Sequence, residues 1–132
     1  TFTATVAPVA PGAGTPTGTV TFDFGDGTPT AAVPLAEGIA AAGHTYTTAT
    51  GSPYPVIAVY SSDDQAFSSS AGQDTQRVNP APTSTTLSAL PEPSVAGEPV
   101  TFTATVTPDA TGADVPTGTV IFDFGDGTPS VA

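Results

Sequence analysis

The amino-acid sequence has no cysteine, no methionine, no tryptophan and no lysine among its 132 residues. Without cysteine, the chain can form no disulfide, no thiolate metal site and no cysteine nucleophile. Without lysine, it can form no lysine–asparagine cross-link. The stability of the fold must therefore come from core packing and from hydrogen bonds between strands.

Positive charge is almost absent as well. Arg77 is the only Lys or Arg residue against 12 acidic residues, and the formal net charge is −11 at pH 7. A chain this acidic repels phosphate backbones and anionic lipid, which argues against nucleic acid and membrane surfaces as partners. No apolar run approaches the ~18 residues that a membrane helix needs, so we expect no membrane insertion in this segment.

What is present is an internal repetition. Residues 1–32 and 101–132 align without a gap at an offset of 100, differ at eight positions and are identical at the other 24. A period of this length is too long for one unit of a solenoid and suits a complete small β-sandwich. We therefore predict tandem repeats with a period of 100 residues.

Strict alternation of apolar and polar residues predicts β-strands, and no helical period occurs. The alternation runs through 100–107 and 118–124, and again through the matching segments at the start of the chain. Further strands are predicted at 30–34, 39–47, 54–61, 71–78 and 83–90. About seven short strands separated by Pro- and Gly-rich turns predict an all-β fold, a β-sandwich.

The same alternation assigns the core. In residues 118–124, Val120, Phe122 and Phe124 share the face that is predicted to be buried. In the first copy, we predict one core between two sheets from these side chains: Phe2, Val6, Phe22, Phe24, Val56, Ala58 and Tyr60.

A short run of prolines predicts the domain boundary. Pro80-Ala81-Pro82 reads as a stiff linker over 80–82. Residues 1–79 before it form a repeat that lacks its first strand. Residues 83–132 after it form the N-terminal half of the next repeat.

Three segments in a fixed order carry a resemblance to a known family. FDFGDGTP occurs at 22–29 and again at 122–129, HTY follows at 44–46, and YPVIAVYSSDD follows at 54–64. In this order they resemble the PKD (polycystic kidney disease-type) domain, with Phe22 at the position where many members have Trp.

Two further segments resemble another group of repeats. AGEPVTFTATVTP at 96–108 and PTGTVTF at 16–22 are similar to the bacterial Ig-like repeats of long surface proteins. Together the resemblances identify the unit as an Ig/PKD-like repeat. They imply an Ig-like sandwich that serves extracellular proteins as a spacer, an adhesion module or an accessory to secreted hydrolases.

The FGDGT loops are the first candidate site. Asp26-Gly27 and Asp126-Gly127 have the composition of tight turns, because Asp accepts local backbone bonds and Gly adopts positive φ. The alternative is a calcium site with Asp23 and Asp26 as oxygen ligands, although calcium needs six to eight oxygens and the spacing differs from that of an EF-hand.

The adjacent acids Asp63 and Asp64 are the second candidate. They follow the most hydrophobic predicted strand, where a calcium ion could bridge them to a neighbouring domain. The alternative is that they are solvated loop charges. Calcium is thus an optional cofactor in this interpretation, and no other cofactor is expected.

His44 is the only histidine, so any catalytic His–carboxylate pair would have to include it. Beside Tyr46 we expect it to be a structural hydrogen bonder, with the Tyr46 hydroxyl tying one strand crossing in the manner of a corner tyrosine. No GxSxG, HExxH or phosphate-loop pattern occurs. A narrow repeat sandwich also offers no cleft for paired carboxylates. We therefore expect no enzyme.

Two functions remain open from the sequence. The leading one is a structural repeat of an extracellular, cell-surface stalk or filament, in which each repeat is a rigid spacer. The alternative is an adhesion module that binds carbohydrate or protein, with or without calcium. Sugar sites use flat aromatic platforms, and this chain has no Trp and only three Tyr from which to build one.

The half repeat suggests how copies would assemble. Half a sandwich leaves unpaired strand edges and exposes the side chains of its core, here Phe102, Val120, Phe122 and Phe124. We expect neighbouring copies of the repeat to supply the missing strands by strand complementation. Such copies would run head to tail in an open arrangement, which makes a fibre.

Overall fold

The alternating segments form eight β-strands and no helix in the computed structural model, which describes all of residues 1–132. The strands are β1 Phe2–Thr5, β2 Gly18–Asp23, β3 Ala31–Pro34, β4 Ile39–Ala42, β5 Tyr54–Ser62, β6 Ser70–Gln76, β7 Thr83–Leu90 and β8 Thr101–Pro108. No helix long and apolar enough to cross a membrane is present. The fold is therefore all-β, as predicted.

The chain divides into two units, Thr1–Pro80 and Ala81–Ala132. Unit 1 contains two antiparallel sheets, one of two strands in the order β1-β4 and one of four strands in the order β3-β2-β5-β6. In the larger sheet, Phe22 pairs with Ala58 and Val20 pairs with Tyr60. In the smaller sheet, Phe2 pairs with Ala42.

The inner faces of these two sheets form one hydrophobic core. Its buried members are Val20, Phe22, Phe24, Ala40, Ala42, Val56 and Tyr60, and its partly buried members include Phe2, Ala4, Val6 and Ala58. All seven predicted core side chains are among them, so that prediction is confirmed. Because both sheets contribute to one core, the arrangement is consistent with a β-sandwich.

The period-2 pattern holds along β5, the longest strand. Tyr54, Val56 and Tyr60 are buried, whereas Ile57 and Val59 on the other face are 40% and 42% exposed. β2 and β4 alternate in the same way, and β3 lies at the edge of its sheet as expected. Alternation in the sequence thus identified the buried face correctly.

Two strand predictions were wrong, one in the extent of the strand and one in its existence. The strand predicted over 39–47 ends at Ala42, so His44 and Tyr46 lie in an irregular segment beyond β4. Their side chains are bonded to the FGDGT turn rather than placed on a ladder. The strand predicted over 118–124 does not form, and only an isolated bridge joins Phe122 to Val131.

Unit 2 consists of a β-ladder and an irregular segment. β7 and β8 pair antiparallel along their whole length, from Thr83 opposite Pro108 to Leu90 opposite Thr101. In unit 1, β2 is held between β3 and β5, and unit 2 offers no such pair of strands to residues 118–124. The apolar side chains of unit 2 are accordingly exposed, with Phe102 at 39%, Val120 at 36% and Phe124 at 43%.

Candidate functional site

The FGDGT turn of unit 1 is built from local hydrogen bonds to its two carboxylates. Asp23 Oδ1 accepts a bond of 2.9 Å from the Gly25 backbone N–H. Asp26 Oδ1 accepts one of 3.1 Å from the Thr28 N–H and one of 2.6 Å from the Thr28 hydroxyl. Gly25 and Gly27 have φ of 74° and 80°, which only glycine adopts without strain.

The second oxygen of Asp26 is bonded to His44. Nε2 of His44 lies 2.7 Å from Asp26 Oδ2, and each side chain is 11% exposed. The imidazole also stacks on the Phe24 ring, with centroids 4.1 Å apart and planes 4° from parallel. The histidine therefore joins the turn to the segment after β4, as the structural interpretation of His44 predicted.

This environment favours the ionised form of Asp26. The pKa of its carboxyl falls from the ordinary 3.8 to about 2, first because of the Thr28 hydroxyl and further because of the His44 side chain and the Thr28 N–H, against an opposing effect of burial. Hydrogen bonds donated to a carboxylate stabilise its charged form. Asp26 is thus an anion whose two oxygens are already in use within the unit.

Tyr46 ties the same region to the backbone of the turn. Its hydroxyl donates a bond of 3.0 Å to the Phe24 carbonyl, 22 residues away in sequence. Its ring meets the His44 ring edge-on at 4.6 Å and stacks on Tyr54 at 4.5 Å. Burial, followed by the negative charge of Asp26, raises the pKa of the Tyr46 hydroxyl. The corner role predicted for this tyrosine is consistent with these contacts.

The other two tyrosines act in a similar way. The Tyr54 hydroxyl donates to the Thr48 carbonyl at 2.7 Å, and the Tyr60 hydroxyl donates to the Thr17 carbonyl at 2.6 Å. Both side chains are buried. The hydroxyls of all three tyrosines therefore bond the backbone of unit 1, and the buried rings of Tyr54 and Tyr60 present no flat surface to a ligand.

Both carboxylate oxygens of Asp26 are bonded to side chains of this cluster, Oδ1 to Thr28 and Oδ2 to His44. The Thr28 hydroxyl donates to Asp26 rather than to His44, so the arrangement does not include a hydroxyl activated by the histidine. Thr28 was missed as the main partner of Asp26, although the spacing Asp-Gly-Thr, with an acceptor two residues before a donor, is a recognisable turn signal.

The acids proposed as calcium ligands lie in two separate places. Asp23 pairs with Ile57 at one end of the β2–β5 ladder, and Ser62, which precedes Asp63, pairs with Gly18 at the other end. A six-residue strand spans about 17 Å, so one ion cannot contact both acidic pairs. No group of three or more His, Asp or Glu side chains is placed to hold a metal ion.

Asp64 makes the same kind of local bond as Asp26. Its Oδ1 accepts from the Ala66 N–H and from the Ser62 hydroxyl, each at 3.0 Å. These donors, the backbone N–H first, lower the pKa of the Asp64 carboxyl. The geometry is that of a loop held by its own carboxylate.

The turn in unit 2 reproduces the turn in unit 1. Asp123 accepts from the Gly125 N–H at 2.9 Å, and Asp126 accepts from the Thr128 N–H and hydroxyl at 3.0 and 2.6 Å. These bonds to Thr128, the hydroxyl first, lower the pKa of Asp126. The local sequence therefore suffices to form the turn, and the histidine bond is an addition that unit 1 makes.

Unit 1 also has an open groove of about 550 Å³. One wall is Thr1–Val6, which contains β1, and the other is β6. Each of these strands is at the edge of its sheet, since β1 pairs only with β4 and β6 only with β5. The core side chains at the floor are Val20, Phe22, Val56, Ala58 and Tyr60. No sequence pattern indicates this groove directly, apart from the prediction of a missing strand.

No known protein family, no curated protein and no solved structure matches this chain. The PKD and Ig-like resemblance thus remains an expectation from the motifs alone.

Proposed function

We propose that the chain is part of a tandem array of Ig-like sandwiches that serves as a stalk or filament outside the cell. Each repeat is a rigid spacer, and neither catalysis nor a bound cofactor is required for this role. Neighbouring copies contact one another through strand complementation in this array.

This role is supported by one set of contacts that recurs in both units. The Phe2 and Phe24 rings lie 5.5 Å apart at 46°, and the matching Phe102 and Phe124 rings lie 5.2 Å apart at 44°. The carboxylate bonds of the two turns match as well. Residues that are identical in the two copies therefore make the same contacts in both units, which supports a structural repeat.

The charge of the chain supports an extended array. A net charge of −11 on 132 residues makes neighbouring repeats repel one another except where their contacts are uncharged. Prolines between the units limit the flexibility of the connection. Both features favour a chain of separated, stiffly joined domains.

Small-angle X-ray scattering tests this function. Proteins that contain two, four and six head-to-tail copies of residues 1–100 would be compared. A rigid spacer predicts a maximum dimension that increases in proportion to the number of copies. An increase with roughly the square root of that number, as in a flexible chain, would contradict it. Specific binding of these proteins to a glycan would instead support the adhesion alternative.

A further inference from the structure

We propose that the groove of unit 1 is the docking site for strand β7 of a neighbouring copy of the repeat, which adds to the free edge of β1. This inference rests on the proposed function, because it specifies how one repeat contacts the next. The occupant is the segment Thr83–Leu90, and the chain itself contains the template for its docking.

The template is the pairing of β7 with β8. Residues 101–108 read TFTATVTP and residues 1–8 read TFTATVAP, so the two segments differ at one position only. β7 pairs with residues 101–108 along its whole length. The same backbone partners are available on residues 1–8, because β4 occupies only one edge of β1.

The register of β7 on β8 fixes the register in the groove. Leu87 lies opposite Ala104 and Ala89 opposite Phe102. In the same register on β1, Leu87 lies opposite Ala4 and Ala89 lies opposite Phe2. No insertion or deletion separates the two copies, so the transfer needs no adjustment.

The same register decides which side chains point into the groove. Residues directly opposite each other in an antiparallel pair project from the same face. Phe2 and Ala4 pack against the core of unit 1, so Leu87 and Ala89 would face that core. Leu90 lies opposite Thr101, the equivalent of Thr1, and would face outward.

Docking in the groove is favoured over the pairing within unit 2. The backbone bonds that β7 leaves on β8 are replaced by equivalent bonds to β1, so they cancel. Leu87 is 64% exposed on the β7–β8 ladder, whereas in the groove it covers the apolar floor beside Phe22. An isolated two-stranded ladder is marginal in water, and burial of apolar surface therefore drives the exchange.

The two surfaces also carry almost no charge. β7 contains no charged side chain, and Asp74 is the only acidic side chain that lines the groove. In a chain of net charge −11, this is a place where two copies meet without opposing carboxylates. Salt that screens the remaining repulsion should therefore strengthen the contact.

Docking completes the sandwich of unit 1. The added strand turns the two-stranded sheet into a three-stranded one in the order β7-β1-β4, facing the four-stranded sheet β3-β2-β5-β6. Seven strands in two sheets is the number found in an Ig-like domain. Because donor and acceptor surfaces differ, the contact is heterologous and permits a head-to-tail chain of copies.

Sedimentation velocity with two matched variants tests the docking. The wild-type chain should show oligomers that increase with protein concentration and with NaCl. Leu87→Asp places a charge on the inward face and should remain monomeric, whereas Leu90→Asp adds the same charge on the outward face and should still associate. A wild type that is monomeric throughout, or two variants that behave alike, would overturn the proposal.

A peptide assay locates the site. A peptide of residues 81–91 with blocked ends would be titrated into the isotopically labelled Leu87→Asp chain, whose own donor strand is disabled. Binding should shift the amide resonances of Thr1–Val6 and Ser70–Gln76. The peptide with Leu87→Asp should cause no shifts, and the peptide with Leu90→Asp should retain them. Shifts elsewhere, or none with the native peptide, would refute the assignment of the groove.

The two tests separate this inference from the proposed function. If scattering shows rigid extension while the peptide does not bind, the array stands and β7 docking is rejected. If the peptide binds while the multi-copy proteins behave as flexible chains, the groove assignment stands and the role as a rigid spacer is rejected.

Discussion

His44 Nε2 lies 2.7 Å from Oδ2 of Asp26, 18 residues earlier in the chain. This contact joins the FGDGT turn of unit 1 to the segment that follows β4. The matching acid of unit 2, Asp126, makes the turn bonds and no bond to a histidine. The pair of turns thus offers an internal control for the contribution of the histidine.

Acid should destabilise unit 1 through Asp26. The pKa of this carboxyl is depressed to about 2 in the folded state, below the ordinary 3.8, so its contribution is present above the ordinary value and is lost as pH falls toward about 2. Asp26→Asn should therefore be less stable than wild type near neutral pH, and the difference should shrink as pH falls through this range.

Tyrosine fluorescence reports this difference for unit 1 alone, since Tyr46, Tyr54 and Tyr60 are the only tyrosines. Denaturant unfolding would be followed at several pH values. Asp126→Asn is the matched control and should leave the tyrosine-reported transition unchanged. A difference between Asp26→Asn and wild type that stays constant down to pH 2 would contradict the pKa assignment.

Phe22 should be essential to the stability of unit 1. It is 2% exposed in the core, and truncation of a buried aromatic costs ~3–5 kcal/mol. Phe22→Ala should lower the free energy of unfolding by about that amount in denaturant titrations. Phe122→Ala, the same change in the second copy, should not affect the tyrosine signal. A loss below about 1 kcal/mol for Phe22→Ala would mean that its face is wrongly assigned.

Two glycines of the turn should differ in their tolerance to alanine. Gly25 and Gly27 both have positive φ, which costs an L-residue roughly 1–2 kcal/mol. A methyl group at Gly25 would also collide with the Pro55 carbonyl oxygen, whereas one at Gly27 meets nothing within 4 Å. Gly25→Ala should therefore lower the melting temperature clearly more than Gly27→Ala. Equal effects would show that the turn does not pack against Pro55.

Calcium should have little effect on stability. The carboxylate oxygens of Asp26 and one oxygen of Asp64 already accept hydrogen bonds within the protein. Thermal unfolding in millimolar calcium and in chelator should therefore coincide. A melting temperature that rises by many degrees with calcium and falls with chelator would establish a site. Asp23→Asn and Asp63→Asn would then identify which acidic pair binds the ion.

Sequence patterns predicted the strands that have two neighbours or a long alternating run. β2 and β5 carry large side chains at every second position, so burial of one face determines them. Ala40 and Ala42 are buried in the core but were missed, because small side chains give a weak hydrophobic contrast. The segment 118–124 alternates as β2 does and still forms no strand, since a strand also needs partners.

The candidate site was predictable only in part. The turns follow from Asp-Gly-Thr spacing, which is local. The contact of His44 with Asp26 depends on how β4 returns beside the end of β2, and no local pattern encodes it. The groove depends on two edge strands in different sheets, so it becomes visible only when both sheets are packed on one core.

A strand with the sequence of β7 is expected to complete the sandwich of unit 1. Hydrogen exchange of the β1 amides tests this in a chain extended by a copy of residues 81–100 placed before Thr1. The β1 amides without a partner on β4 should become protected in the extended chain. Leu87→Asp in the added copy should abolish the protection, and Leu90→Asp should preserve it. Equal exchange of the β1 amides with and without the extension would show that this strand does not pair with β1.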